Sequence, residues 1–599
     1  MNLSTLDYSI IFLFFGITLI IGVVVSKKSG KNTDEYFLSG RNMPWWLLGF
    51  SMVATTFAAD TPLFVADVVR QKGVSGNWVW WTFLITGMLT VFVYAKLWRK
   101  SNVKTDLEFY ELRYGGKPAQ FLRGFRALYL GLLFNVLVMS AVMLAAIKIG
   151  GIMLGLQPWE VIIYAGIITI IFSVIGGFRG VVYTDFLLFI VAMIGAVAAA
   201  YYAVNLPEVG GVSKLFENEA VISKMSILPD FNDTELLMTL LVIPLAVQWW
   251  STWYPGAEPG GGGYIAQRML AAKDEKNAIG ATFFFNIMHY ALRPWPWILV
   301  ALASIVIFPD LESIQAAFPN MDPSKIGHDA AYPAMLNFLP NGLLGLVLAS
   351  LVAAFMSTIS THLNWGSSYL VNDFYKRFLK PEASEKEQVV VAKGATVLLM
   401  VLSAFLALVF TNALQVFEYI IAFGAGTGLI FILRWFWWRI NAWSEISAMF
   451  ASGIISILLT MYESQLFGDG LLMPSYAKFP MIVLLSTIVW VVVTYLTKPE
   501  DQEVLATFYK KTQPSGYGWE KVIVIENNKG NSIIDTSVSS TLSIGIIATL
   551  VGTFLVYSIL FAIGNFIYGE TYLALILSGF TILFTVILIK LWDKIKLGF

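Results

Sequence analysis

The chain has no cysteine and only three histidines, His289, His328 and His362. Disulfides, thiolate metal sites and cysteine nucleophiles are thereby excluded, and three scattered imidazoles do not make a zinc or haem centre. Charge is scarce as well: 13% of the 599 residues are charged, 39 of each sign. A chain with no net charge and no basic stripe lacks the electrostatic footprint for nucleic acid. There is no glycine-rich phosphate loop, no Ser-His-Asp constellation and no soluble domain, so the protein is not expected to be an enzyme. No obligate protein partner is evident either.

Apolar runs are what the sequence has in abundance. Hydrophobic residues make up 57% of the chain, and the mean hydropathy of +0.71 is that of a polytopic membrane protein. Runs long enough to cross a bilayer number about fifteen. The first, 8–25, has no basic segment before it and no cleavage site, so it is expected to be retained as a helix. The runs divide the chain into 1–44, a first five-helix unit at 45–204 and a loop at 205–234. A second five-helix unit (235–440), two further spans (441–497), a polar linker (498–540) and two C-terminal spans with a basic tail (541–599) follow. Lys and Arg concentrate in 27–31, 96–104, 123–126, 267–276, 375–387, the linker 498–540 and the tail. By the positive-inside rule these lie in the cytoplasm, with the N-terminus outside and the C-terminus inside a cytoplasmic membrane. The linker reads as a solvated connector.

Within one long run, LLGLVLASLVAAFMSTISTHLNWGSSYLVNDFYK (343–376), Ala354, Ser357 and Thr361 share a helix face, flanked by Thr358 and Ser360. Neutral hydroxyls and a carbonyl beside a small side chain are the ligands a small hard cation takes. The alternative is that these hydroxyls bond their own backbone or a neighbouring helix. Two other runs are interrupted, at ATTFAADTP (54–62) and PLAVQWWSTWYPGAEPGGGG (244–263). Proline removes helix hydrogen bonds, and carbonyls freed in lipid must find other partners. The two broken runs are five apart, and an odd unit repeated inserts upside down. Broken helices in matching positions of two inverted halves point to a transporter's binding site.

Four segments carry a family resemblance: FLSGRNMPWWLLGFSMVATTFAADTP (37–62), GGFRGVVYTD (176–185), YIAQRMLAAKDEKNA (264–278) and AAFMSTISTHLNWGSSYLVNDFYK (353–376). Together with FYKKTQPSGYGW (508–519) they resemble the sodium:solute symporter family, which includes sodium/glucose, sodium/proline and sodium/sialic acid transporters. The resemblance implies an all-α LeuT-type fold of two inverted five-helix repeats with added helices at both ends. It implies a main sodium site at Ala54 and Phe57 in the first broken run, with Ala354, Ser357 and Thr358 opposite. It also implies a second sodium site, found in some members, at Asp185, Ser357, Ser360 and Thr361. A proton-carrying or structural role for Asp185, satisfied by water or Arg179, stays open beside that one.

The substrate residues are read from chemistry. Arg293, at the position of a sugar-contacting lysine in sugar-transporting members, suits a carboxylate. Asp60, beside Thr61, suits a cationic group, or pairs with Arg293 or Arg70. Trp253 and Tyr254, with Trp249 and Trp250, suit a cation or a sugar face, the last two reading equally as packing residues. The sugar-binding glutamate and glutamine of sugar-transporting members have apolar residues in their place, within 76–83 and 417–424. His289 and His362 read as satisfied core or lining residues, Glu418 as solvated, and Arg434 and Arg439 as snorkelling. The expected activity is sodium-coupled symport of a small polar solute, a zwitterion or carboxylate ahead of a sugar or sugar acid. A sensor or channel-like protein on the same scaffold is the reading from another class.

Overall fold

The computed structural model describes residues 3–26, 33–252, 258–411, 424–467, 474–535 and 542–596. Among these the chain is helical, and extended pairing is limited to two isolated bridges, Met43 with Ala272 and Thr252 with Ala425. In chain order the helices used below are α1 (Thr5–Ser26), α2 (Trp45–Thr55) and α3 (Asp60–Lys72). Then come α4 (Val74–Ser101), α5 (Gly116–Leu154), α6 (Pro158–Val204) and α7 (Thr234–Ser251). They are followed by α8 (Gly263–Ala271), α9 (Glu275–Ile307), α10 (Leu343–Leu379) and α11 (Glu385–Val409). The last four are α12 (Ala442–Phe467), α13 (Ser475–Leu496), α14 (Leu542–Ile567) and α15 (Thr571–Lys596).

Eleven described helices are long and apolar enough to cross a membrane, twelve with α2 and α3 taken as one bent span. The apolar stretches Thr5–Thr18 and Pro158–Ile170 are shorter than that. The run expected at 414–438 lies largely outside the described residues. The runs 158–176 and 181–204 are carried on one helix, α6, because no proline follows Pro158 and apolar residues continue on both sides of Gly176 and Gly177.

Both predicted breaks are present. Between α2 and α3 the axis turns by 56°. Pro62 sits in the first turn of α3, where an amide is not needed for the ladder, and Asp60 complements the dipole there. Helix α7 relaxes into π-type turns at Met238–Val242 and Pro244–Gln248, since Pro244 cannot donate, and stops at Ser251. Thr252 is extended (φ −102°, ψ 131°), and the helix resumes at Gly263 as α8.

Helices α6 and α10 share an extensive interface, matched by that of α14 with α15, and α2 packs on α6, α9 and α10. Small residues set the approach: a Cβ on Gly195 of α6 would stand 2.7 Å from the Ser350 hydroxyl of α10. The linker is not a solvated connector. Phe508 and Val522, on its helices Gln502–Thr512 and Glu520–Asn528, and Trp519, which precedes the second, are completely buried. The Trp519 indole donates to the Trp435 carbonyl at 2.9 Å, and the Arg113 guanidinium lies 4.9 Å from the Trp519 ring. Aromatic burial and cation–π contact therefore fix this segment to the bundle.

Candidate functional site at the break between α2 and α3

A helix end leaves its last carbonyls without partners, a severe cost away from water. At the end of α2 two side chains from other helices take them. Thr358 Oγ1 on α10 donates to the Thr55 carbonyl at 2.9 Å. Arg293 Nη1 on α9 donates to the Thr56 carbonyl at 2.6 Å. The break is thus held on one side by a hydroxyl of the predicted stripe and on the other by a predicted substrate residue.

The residues expected to form the main sodium site lie along this seam. Ala54 and Ala354 are 2% exposed, Phe57 2%, Ser357 1% and Thr358 3%, so none is open to solvent. Ala54 lies in the last turn of α2 and Phe57 just beyond its end, the Phe57 amide donating to the Ala54 carbonyl at 3.2 Å. Ala354 lies one turn before Thr358 on the same face of α10. The set is neutral, rich in oxygen and dry, which fits a monovalent hard cation.

Beside it lies a charged cluster in which the expected Asp185, Ser357 and Thr361 are joined by Arg268, Ser51 and Thr55, which the sequence reading did not name. Asp185 of α6 is fully buried, and its carboxylate accepts from Ser357 and from Ser51 of α2, each at 2.6 Å. Arg268 of α8, also fully buried, donates to Thr55 Oγ1 at 2.9 Å, to Thr361 Oγ1 at 2.8 Å and to Ser51 Oγ at 3.2 Å. Its guanidinium is 3.9 Å from the Asp185 carboxylate, and Thr55 Oγ1 and Thr361 Oγ1 are 3.1 Å apart. Asp185 is therefore not satisfied by water or by Arg179, which instead lies 3.9 Å from Glu35. Of the second sodium set, Ser357 meets Asp185, Thr361 meets Arg268, and Ser360 accepts from Ser173 at 2.9 Å. In the sequence Arg268 reads as one of the basic residues of 267–276 at a span's inner end. Ser51 and Thr55, four apart on one face of α2, were legible by the same periodicity that revealed the α10 stripe.

On the other side of the break, His289 Nδ1 is 2.9 Å from Thr56 Oγ1, and Arg293 Nη2 is 3.2 Å from His289 Nε2. The Trp80 ring stands edge-on to His289 at 5.7 Å and stacks on Tyr290 at 5.8 Å. Asp60 and Thr61 are half-buried at the start of α3, where Thr61 Oγ1 accepts from the Ala58 amide at 3.3 Å. Arg70 is engaged by Ser304, the Phe308 carbonyl and His328. Trp249 and Trp250 donate to carbonyls of their own helix, the packing role, whereas Trp253, Tyr254 and Glu418 lie outside the described residues. His362 is a core residue, 2.6 Å from Asn135. Arg434 does not snorkel: it is 4% exposed, 3.4 Å from Glu445, and stacked on Phe109.

A bent helix whose carbonyl end meets a hydroxyl-bearing helix, within a bundle interrupted again at α7, defines an ion-coupled secondary transporter of LeuT type. The profile of the sodium:solute symporter family matches residues 36–452, and the chain belongs to that family. It is 26% identical to a sodium/glucose cotransporter of Vibrio parahaemolyticus over 81% of this chain and 90% of the relative. With sodium/myo-inositol cotransporter 2 of Homo sapiens the identity is 27%, covering 85% of this chain and 79% of that one. Its fold is similar to that of a Na+-coupled sialic acid symporter solved in a substrate-bound outward-open state, with TM-score 0.64 and 20% identity, covering 84% of this chain and 100% of that one. The protein is a multi-pass membrane transporter rather than an enzyme, and sodium is its coupling ion.

Proposed function

We propose that the chain couples inward sodium flow to uptake of a small organic solute bearing a carboxylate, a zwitterion above all, by alternating access. The observation that carries this reading is the double capture of the α2 end: Thr358 on one carbonyl, Arg293 on the next. Sodium and solute then act on the two sides of one hinge.

Sodium is the co-substrate at Ala54, Phe57, Ala354, Ser357 and Thr358. It draws the carbonyl end of α2 onto the hydroxyls of α10 and so favours one orientation of the bent helix. Its release to the cytoplasm loosens that contact. Each sodium entering down about −100 mV supplies ~2.3 kcal/mol. A second sodium at Asp185, Ser357, Ser360 and Thr361 requires the Arg268 guanidinium to withdraw, because Arg268 already takes Thr361. We therefore assign one sodium per cycle.

For the solute, Arg293 suits a carboxylate once its two terminal nitrogens leave Thr56 and His289, and Asp60 and Thr61 across the break receive an amino group. By residue type alone, Trp253 and Tyr254 are proposed as aromatic contacts for the solute. The sodium/glucose and sodium/myo-inositol relatives favour a second reading, a sugar or sugar acid.

A thermal-shift screen of the purified protein against amino acids, carboxylates and sugars, each in sodium and in choline, separates these readings. Stabilisation by a carboxylate-bearing compound only in sodium, lost in Arg293→Gln, is the expected outcome. A neutral sugar that stabilises the wild type and Arg293→Gln alike would move the assignment to the second reading.

A further inference from the structure

Two cavities meet at Lys276, at the corner where α8 turns into α9. One, of about 610 Å³, is polar and lined by Arg99, Lys100, Lys273 and Lys276 together with Asp274 and Glu275. Of its two acids, Asp274 is taken up as the cap of α9, accepting from the Asn277 amide at 2.8 Å and from the Asn277 side chain at 2.9 Å. Arg99 is held in place by the Ala272 carbonyl at 2.9 Å. The other cavity, of about 700 Å³, is apolar and lies between α9 and the C-terminal pair α14 and α15. Its walls include Trp45, Phe283, Phe284, Leu555, Ile589 and Trp592, and Lys276 also lines it.

We propose that this corner binds one phospholipid with an anionic head group, its phosphate in the basic cavity and an acyl chain in the apolar crevice. A small anion would fill only the first cavity, and an uncharged hydrocarbon only the second. The residue common to both, Lys276, lies where a phosphate joins its glycerol ester. The length agrees as well. Along α9 the crevice runs from Lys276 to Ile287; eleven residues at ~1.5 Å rise give about 16 Å, and half of a ~30 Å hydrocarbon core is about 15 Å. Basic pockets between spans on the cytoplasmic side bind anionic head groups in this manner. The inner-leaflet location rests on the proposed orientation; binding itself does not. Such a lipid would touch the start of α2 through Trp45, whose amide is tied to Asn277 at 2.8 Å. It would thus grip the helix whose other end forms the sodium site.

The test is native mass spectrometry of the delipidated full-length protein, titrated with phosphatidylglycerol, with phosphatidylcholine of the same acyl chains, or with inorganic phosphate. One phosphatidylglycerol is expected to bind well ahead of phosphatidylcholine, without competition from phosphate at equal concentration. Lys100→Gln with Lys276→Gln is expected to weaken it about 30-fold, the worth of two basic residues at ~1 kcal/mol each. Ile559→Trp, which fills the crevice, is expected to remove it while leaving the lysines intact. Circular dichroism and gel filtration verify that both variants fold. Equal binding of the two lipids, full competition by phosphate, or phosphatidylglycerol binding undiminished in both variants would overturn the proposal.

Discussion

Arg268 carries the heaviest electrostatic duty of any side chain near the hinge. It brings one positive charge into a dry seam beside Asp185 and spends its donors on Ser51, Thr55 and Thr361, tying α8 to α2 and α10. Removing one partner of a buried pair leaves the other charge uncompensated, which costs about 3–5 kcal/mol. Arg268→Gln should therefore lower the melting temperature sharply. Asp185→Asn combined with Arg268→Gln should recover much of that loss, since the unpaired charge is then gone. Additive losses in the double variant would show that the two residues act separately. Single-residue roles are where the sequence was least legible. Arginine at 268 has the same letter whether it faces cytoplasm or a hydroxyl cluster, and only the packing of α8 decides which. His289 was read as core or lining; its bonds to Thr56 and Arg293 make it part of the hinge lining.

At the scale of elements the sequence was far more legible, because the signals there are physical interruptions. Pro62 and Asp60 inside an apolar run, and Pro244 ahead of a glycine cluster, cannot continue a buried ladder, so both breaks were foreseen. The α10 hydroxyl stripe followed from spacing alone. The linker was misread as solvated although Leu505, Phe508, Tyr509 and Thr512 fall at the spacing of one helical face; its charges outweighed that pattern in the reading. An ion-pair cluster at Glu111 joins the end of α10 to α5. Arg377 at the end of α10 donates to Glu111 at 2.8 Å, and Arg123 at the start of α5 donates to the same carboxylate at 2.5 Å. Burial raises the Glu111 pKa, but the hydrogen bonds from Arg377 and Arg123 outweigh it and hold the group below its ordinary value of 4.5. A depressed carboxylate stabilises fully above its unfolded value, and the contribution disappears as pH falls through the lowered folded one. Glu111→Gln should melt at a lower temperature than wild type at pH 7, by an amount worth about 1 kcal/mol for a half-exposed pair. That gap should narrow on acidification below the ordinary carboxylate range. A gap independent of pH would remove Glu111 from this role.

For the whole molecule, the orientation drawn from Lys and Arg placement awaits its own measurement. The absence of cysteine makes the native chain a ready background. Ser213→Cys in the loop at 205–234 and Glu382→Cys between α10 and α11 both place a thiol at an exposed position. In intact cells a membrane-impermeant maleimide should label the first and leave the second unlabelled until the membrane is opened. The reverse pattern would invert the topology and move the lipid corner to the outer leaflet. The inverted-repeat expectation rested on two breaks five spans apart, counted with 158–176 and 181–204 as separate spans; the structure carries both on α6. The exact path of α6 was not, since a Gly-Gly pair in an apolar run permits a turn or a continuous helix with equal ease.

The central claim is that sodium is held between the carbonyl end of α2 and the hydroxyls of α10. The most direct measurement is sodium binding to the purified protein, followed by thermal stabilisation against choline in wild type, Ser357→Ala and Thr358→Ala. A ligand at 100 times its Kd stabilises by about 2.7 kcal/mol. Deleting one oxygen that contacts a charge costs roughly 1.5–3 kcal/mol, so each variant should need about 10- to 150-fold more sodium for the same shift. Unchanged sodium dependence in both variants would contradict the account.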